Sequence, residues 1–141
     1  MDLKKIAIVV SILLIIAIGS FAYISLNTQE TKVDIITQNT IHNGDIITVQ
    51  LKDLYRNGIP NQAIDLKILD DSGWAHNYNA TTDELGIGQI QILSLENGNY
   101  TAHAKFNGTL FLKESANHVS FEVTDGYSWL EFKLHFYLFL I

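Results

Sequence analysis

Histidines and acidic side chains are the groups through which this chain can do chemistry. His42, His76, His103, His118 and His135 are scattered, with no H-x-H or H-E-x-x-H spacing that would set two imidazoles on one metal ion. Strand pairing can still bring distant histidines together, and His76 or His103 would then be the residues a metal site draws on. Asp70, Asp71, Asp83 and Glu84 are the candidate Ca²⁺ ligands, because carboxylates and carbonyl oxygens that converge from loops at one end of a domain can hold that ion. The competing reading is that they are solvated turn residues, since Asp and Ser form local hydrogen bonds there. The expectation is a chain with no cofactor.

Catalytic groups are scarce. No G-x-S-x-G elbow occurs, and Ser115 and Ser120 have no recognisable base and orienting carboxylate. Gly86-Ile87-Gly88 is followed by a strand-like run and not by a helix, so it does not read as a dinucleotide fingerprint. The chain has no cysteine, which removes thiolate catalysis, cysteine metal sites and disulfides together. A non-enzyme is expected, with no small-molecule substrate. With 15 acidic against 9 basic residues, nucleic acid is not an expected partner either, because phosphate binding needs a basic stripe.

Location is written more plainly than chemistry. Ile6 to Ile24 (IAIVVSILLIIAIGSFAYI) carries no charge and follows Lys4 and Lys5. A helix of that length just crosses a hydrocarbon layer roughly 30 Å thick. By the positive-inside rule the two lysines stay cytoplasmic, and the chain after Ser25 emerges on the outer side. A cleaved signal peptide is the alternative, with Ser20-Phe21-Ala22 offering cleavage after Ala22 and a secreted product. Against cleavage, the apolar character continues through Phe21, Tyr23 and Ile24. A buried helix in a soluble protein would need apolar packing on every side, which a domain of this size can hardly supply. Residues 1–25 are thus read as a membrane helix, 26–31 as a linker, 32–125 as one domain and 126–141 as an apolar, aromatic tail.

The domain alternates like β-structure. In Asp45–Lys52, Ile47, Val49 and Leu51 share one face while Thr48, Gln50 and Lys52 share the other. Ala63–Leu69, Gly88–Leu93, Asn99–Phe106 and Val119–Val123 repeat the pattern, Lys32–Thr40 reads as a first strand, and Asn77–Thr81 as a short edge strand. Arg56-Asn57-Gly58, Asp71-Ser72-Gly73, Asn97-Gly98 and Asn107-Gly108 supply turn residues between them. The fold class expected is all-β: an antiparallel β-sandwich preceded by one transmembrane helix. Pro60 belongs in a loop or at a strand's first residue, and Tyr100 is either a corner tyrosine or a plain half-buried aromatic.

An ordered series of motifs lies along this domain. Val49 to Gly73 (VQLKDLYRNGIPNQAIDLKILDDSG) resembles the opening of prokaryotic Ig-like repeats of the invasin and intimin type. Thr82 to Gly88 (TDELGIG) resembles their turn around Gly86 into the next strand, and Gly98 to Ala102 (GNYTA) the start of their penultimate strand. The resemblance spans about Val33 to Val123 and implies an Ig-like module of the kind found in archaeal and bacterial adhesin-like surface proteins. It implies a role in adhesion or as a spacer, with a surface protein or polysaccharide as partner. An accessory subunit of an envelope complex, pairing through a sheet edge, is the other function class. Asn79, Asn99 and Asn107 begin N-x-T glycosylation patterns. For Gly126–Ile141 three readings stand: an added strand, a membrane-surface peptide, or a truncated or altered reading frame.

Overall fold

A computed structural model describes residues 2–124. The tail 126–141, with Trp129 and His135, lies outside the described residues. Helix α1 runs from Leu3 to Asn27 and ends where Thr28 turns extended at φ −72° and ψ 123°. Its 25 residues make a rod roughly 37 Å long at 1.5 Å per residue. No residue of α1 is buried, although it is apolar on every face. Such a helix needs an apolar environment that the other described residues do not supply. It is long and apolar enough to cross a membrane, a property it shares with a signal sequence.

Eight strands follow: β1 (Thr31–Ile36), β2 (Thr40–Ile41), β3 (Ile46–Asp53), β4 (Ala63–Asp70), β5 (Ala75–Thr81), β6 (Ile87–Gln91), β7 (Gly98–Phe106) and β8 (Ser115–Val123). They form two sheets, ordered β1-β3-β6 and β2-β8-β7-β4-β5. Alternation drives the packing. Val33, Ile47, Val49, Leu51 and Ile90 from the first sheet meet Ile64, Leu66, Ile68, Ala102, Phe106, Phe121 and Val123 from the second in one core. Pairing is antiparallel throughout except where β2 lies parallel to β8, with Thr40 opposite Glu122 and Ile41 opposite Val123.

That exception divides the first strand expected over Lys32–Thr40. Its first half pairs with β3 from Thr31↔Asp53 to Ile36↔Thr48. After Thr37 to Asn39 the chain crosses to the other sheet, where Glu122 donates its N–H to the Asn39 carbonyl at 2.8 Å. Two other strands are longer than expected. β5 begins at Ala75 because Leu69↔Ala75 extends its register with β4, and β8 begins at Ser115 because Phe106↔Ser115 closes the hairpin with β7. Polar residues occupy the added stretch of β8, so alternation of apolar residues did not mark it. Asn117 bonds the Val33 carbonyl at 3.2 Å and stitches β8 to the edge of the first sheet.

One end of the sandwich collects the β3–β4, β5–β6 and β7–β8 loops beside the exit of α1. The other end collects the β4–β5 turn, the β6–β7 loop and β2. At the helix-side end two loops pass backbone to backbone, since a Cβ on Gly58 would lie 2.0 Å from the Leu85 carbonyl oxygen. A Cβ on Gly86, whose φ is +76°, would lie 2.3 Å from that of Leu51. Pro60 sits in the β3–β4 loop, outside any strand.

Candidate functional site

Because Ile64, Leu66 and Ile68 point into the core, Asp65 and Lys67 on the same strand point out. Register then assembles a polar face on the five-stranded sheet. Lys67 is opposite Asn77 and His103, Asp65 is opposite Asn79 and Lys105, and His103 is opposite His118. A recess of about 460 Å³ is lined there by Asp65, Lys67, Asn77, Tyr78, His103 and Lys105. Asp65 anchors one side of it, accepting hydrogen bonds from the Asn79 amide at 2.8 Å and from the Asn107 amide at 2.9 Å. The His103 and His118 rings stack with centroids 5.7 Å apart.

The recess sets lysine, histidine and amide donors beside the Asp65 carboxylate. It offers no activated nucleophile. Burial pushes the Tyr78 hydroxyl above its ordinary pKa, so at neutral pH it is a neutral hydrogen-bonding group.

Strand register brings two of the scattered histidines together. His103 is joined by His118 and not by His76, which sits opposite Ile68 on β5. Among the described residues no group of three or more His, Asp or Glu side chains is placed to hold a metal. The pairing of His103 with His118 is legible only after the β7–β8 register is known. His42 lies at the end away from α1, its Nδ1 2.6 Å from the Thr124 carbonyl oxygen.

The four acidic candidates for Ca²⁺ do not converge, so of the two readings the one that needed them at the same end of the domain has no geometry here. Asp70 and Asp71 precede β5 while Asp83 and Glu84 follow it, so a strand of seven residues separates them. That places them roughly 20 Å apart, at opposite ends of the sandwich. Each aspartate nearest a strand is occupied by its own turn. Asp70 Oδ1 accepts from the Ser72 hydroxyl at 2.8 Å and from the Ser72 and Trp74 amides at 3.0 and 2.9 Å. Asp83 Oδ1 accepts from the Leu85 and Ile87 amides at 2.8 and 3.0 Å. The Ser72 hydroxyl, with these amides, holds the Asp70 carboxyl below its ordinary value. Asp53, not singled out by the sequence, plays the same part in the β3–β4 loop, where the Asn57 amide is the main cause of a lowered pKa.

Tyr100 closes the core at the far end. Its ring is buried and stacks on Phe121 with centroids 5.8 Å apart, and its hydroxyl donates to the Glu96 carbonyl at 2.6 Å. Burial, with the nearby Asp70 charge, raises its pKa. Gly98 opens the same strand, opposite Val123. Asn79, Asn99 and Asn107 are all exposed, though the amides of Asn79 and Asn107 are engaged by Asp65. Lys4 and Lys5 lie in the first turn of α1 and are exposed, while Ile24, in its last turn, is partly covered, unlike Ile6. Trp74 projects at the far end, 74% exposed.

No family model matches this chain, and no curated protein matches it either. Solved structures do. A tetra-tandem repeat in the extending region of a large adhesion protein superposes with a TM-score of 0.51 at 17% identity, over 70% of this chain and 25% of that one. This chain thus spans about a quarter of the length of that four-repeat chain. CopC from Methylosinus trichosporium OB3b superposes with a TM-score of 0.50 at 11% identity, over 68% of this chain and 97% of that one. At these identities the likeness is one of fold alone, an Ig-like β-sandwich, which in this chain follows a single apolar helix.

Proposed function

We propose that this chain is a membrane-anchored, extracytoplasmic Ig-like module, non-catalytic, that serves in cell-surface adhesion or as a binding spacer. One observation carries the reading. An apolar helix with no buried residue runs, through Thr28 to Glu30, directly into a β-sandwich. Lys4 and Lys5 at the other end of the helix favour retention on the cytoplasmic side. The motif series from Val33 to Val123 supports an invasin- or intimin-type repeat, and the adhesion-protein repeat among the structural neighbours supports the surface role. Residues 32–125 form the outward domain, and the surfaces a protein or polysaccharide partner meets are the polar face around Lys67 and the far-end loops around Trp74. Retention of the helix keeps the product at the membrane. Cleavage near Ala22 would release it.

A second reading has its own support. β5 is an edge strand whose sequence, AHNYNAT, carries no lysine, acid or proline of the kind that blunts open edges. An accessory subunit that pairs there with a larger envelope protein would use it. Crosslinking in the native envelope separates the two. The adhesion reading expects heterogeneous surface partners and binding of the purified outer domain to cells or polysaccharide. A single stoichiometric partner, together with no such binding, would favour the accessory role.

A further inference from the structure

The β7–β8 loop lies against α1 in a way that the strand pattern does not require. It starts at Asn107 and ends at Glu114, at the end of the sandwich where the helix exits. Two backbone hydrogen bonds fix it there: Gln29 donates to the Phe111 carbonyl at 2.7 Å, and Lys113 donates to the Gln29 carbonyl at 2.8 Å. The Thr31 hydroxyl adds a third link to the Lys113 carbonyl at 2.7 Å. Within the loop Thr109 donates to the Leu112 carbonyl, so its tip is a closed turn.

Leu110 and Phe111 at that tip point back along the helix. The Tyr23 and Phe111 rings meet edge to face at 6.0 Å, and Leu110 and Phe111 share a recess with Ile16, Gly19, Ser20, Tyr23 and Ile24. From Ile24 to Ile16 is about 12 Å along a helix axis. The loop tip therefore lies beside the apolar stretch of α1 and not beyond it. Leu110 is nonetheless 62% exposed and Phe111 39%. Leu54, Tyr55 and Leu85, on the other two loops of this end, are exposed as well. Exposure alone would not single out this end, since Trp74 at the far end is equally bare. Continuity with the helix does.

We infer that the tip of the β7–β8 loop, Leu110 and Phe111, is a second membrane contact, set into the acyl boundary of the leaflet that α1 leaves. The inference rests on the proposal that α1 stays in the membrane. Given that, lipid is the occupant, because a group alongside Gly19 and Tyr23 shares their depth. The Lys113–Glu30 ion pair, 3.5 Å long, then sits at the headgroup level. Aromatic and aliphatic side chains are favoured at that boundary, where Tyr23 would lie as well. The consequence is mechanical: two attachment points fix the tilt of the sandwich, so that the polar face around Lys67 and the Trp74 end are held at a set angle to the surface.

Because the chain has no cysteine, single-cysteine variants can each carry one nitroxide label. The full chain is reconstituted in vesicles of phosphatidylcholine with phosphatidylglycerol, and collision with oxygen is compared with collision with a water-soluble nickel chelate. Labels at Leu13→Cys, Leu110→Cys and Phe111→Cys should all favour oxygen, and Trp74→Cys should favour the chelate. A Leu13 label in lipid with Leu110 and Phe111 labels in water overturns the inference and leaves the anchor standing. A Leu13 label in water overturns both. Against the chance that a label distorts the loop, the unmodified chain is photolysed with a diazirine on the acyl chains. Adducts on the peptide containing Leu110 and Phe111 are expected, and adducts on α1 without them would contradict the contact.

Discussion

Gly86 holds the left-handed conformation while its Cα faces the backbone of Leu51, Gly58 and Ile59, so no side chain fits. Gly86→Ala should therefore destabilise the domain by more than about 1 kcal/mol, read as a lower midpoint in urea with an unchanged slope. Thr82 is buried and its hydroxyl bridges Ile59 and Gln62, donating to the first carbonyl at 2.7 Å and accepting from the second amide at 3.0 Å. Tyr100→Phe removes one hydrogen bond and leaves the ring stack, so a loss of about 0.5–1.5 kcal/mol is expected in the same measurement. Asp53 and Asp70 carry a pH signature. Their carboxyls titrate below the ordinary 3.8 in the folded chain, so the unfolded chain binds protons first as pH falls. Their stabilisation is complete above that value and is lost as pH drops through the lowered ones. An Asp53→Asn, Asp70→Asn double variant should show a shallower fall in Tm between about pH 5 and pH 2 than the parent. A parallel fall would mean that other carboxylates carry the acid limb.

Elements differ in how openly they show themselves along the chain. β3 and β4 were legible because Ile47, Val49, Leu51 and Ile64, Leu66, Ile68 alternate with polar residues, and burial follows that alternation. α1 was legible because nothing charged interrupts it after Lys5. The crossing of the chain between β1 and β2 was not, since apolar content continues across Ile35 and Ile36 and the break is set by partners more than eighty residues away. The first turn of β8 was hidden for a similar reason: Ser115, Ala116, Asn117 and His118 gain their place from the β7 ladder, not from burial of their own. The site shares this limit. Asp65, Asn79 and Asn107 meet only through register, and so do His103 and His118. Leu66→Ala, in the middle of β4 and between its neighbours β5 and β7, should cost about 2–5 kcal/mol, because it opens a cavity between two packed sheets. A smaller loss would show that the two sheets close over the gap.

At the scale of the whole molecule, the proposed function assigns attachment to the one rod and presentation to the one sandwich of the described residues. The sandwich closes one core from its own residues, whereas α1 contributes none to it and buries none. Removing residues 1–27 should thus leave a soluble domain with a single cooperative unfolding transition, since the core contains nothing from the helix. If α1 is retained as proposed, the polar face and the Trp74 turn are displayed on the side of the membrane to which it delivers them, so the proposed surface role turns on orientation. It can be measured without disturbing the fold. Asp71→Cys places one thiol in the exposed β4–β5 turn of a chain that has none and keeps the Ser72 and Trp74 bonds to Asp70, and a membrane-impermeant maleimide is applied to intact cells and to lysed ones. Labelling of intact cells, on a chain that stays with the membrane through alkaline carbonate washing, is the expected result. A thiol that reacts only after lysis would contradict the outward orientation and the surface role with it.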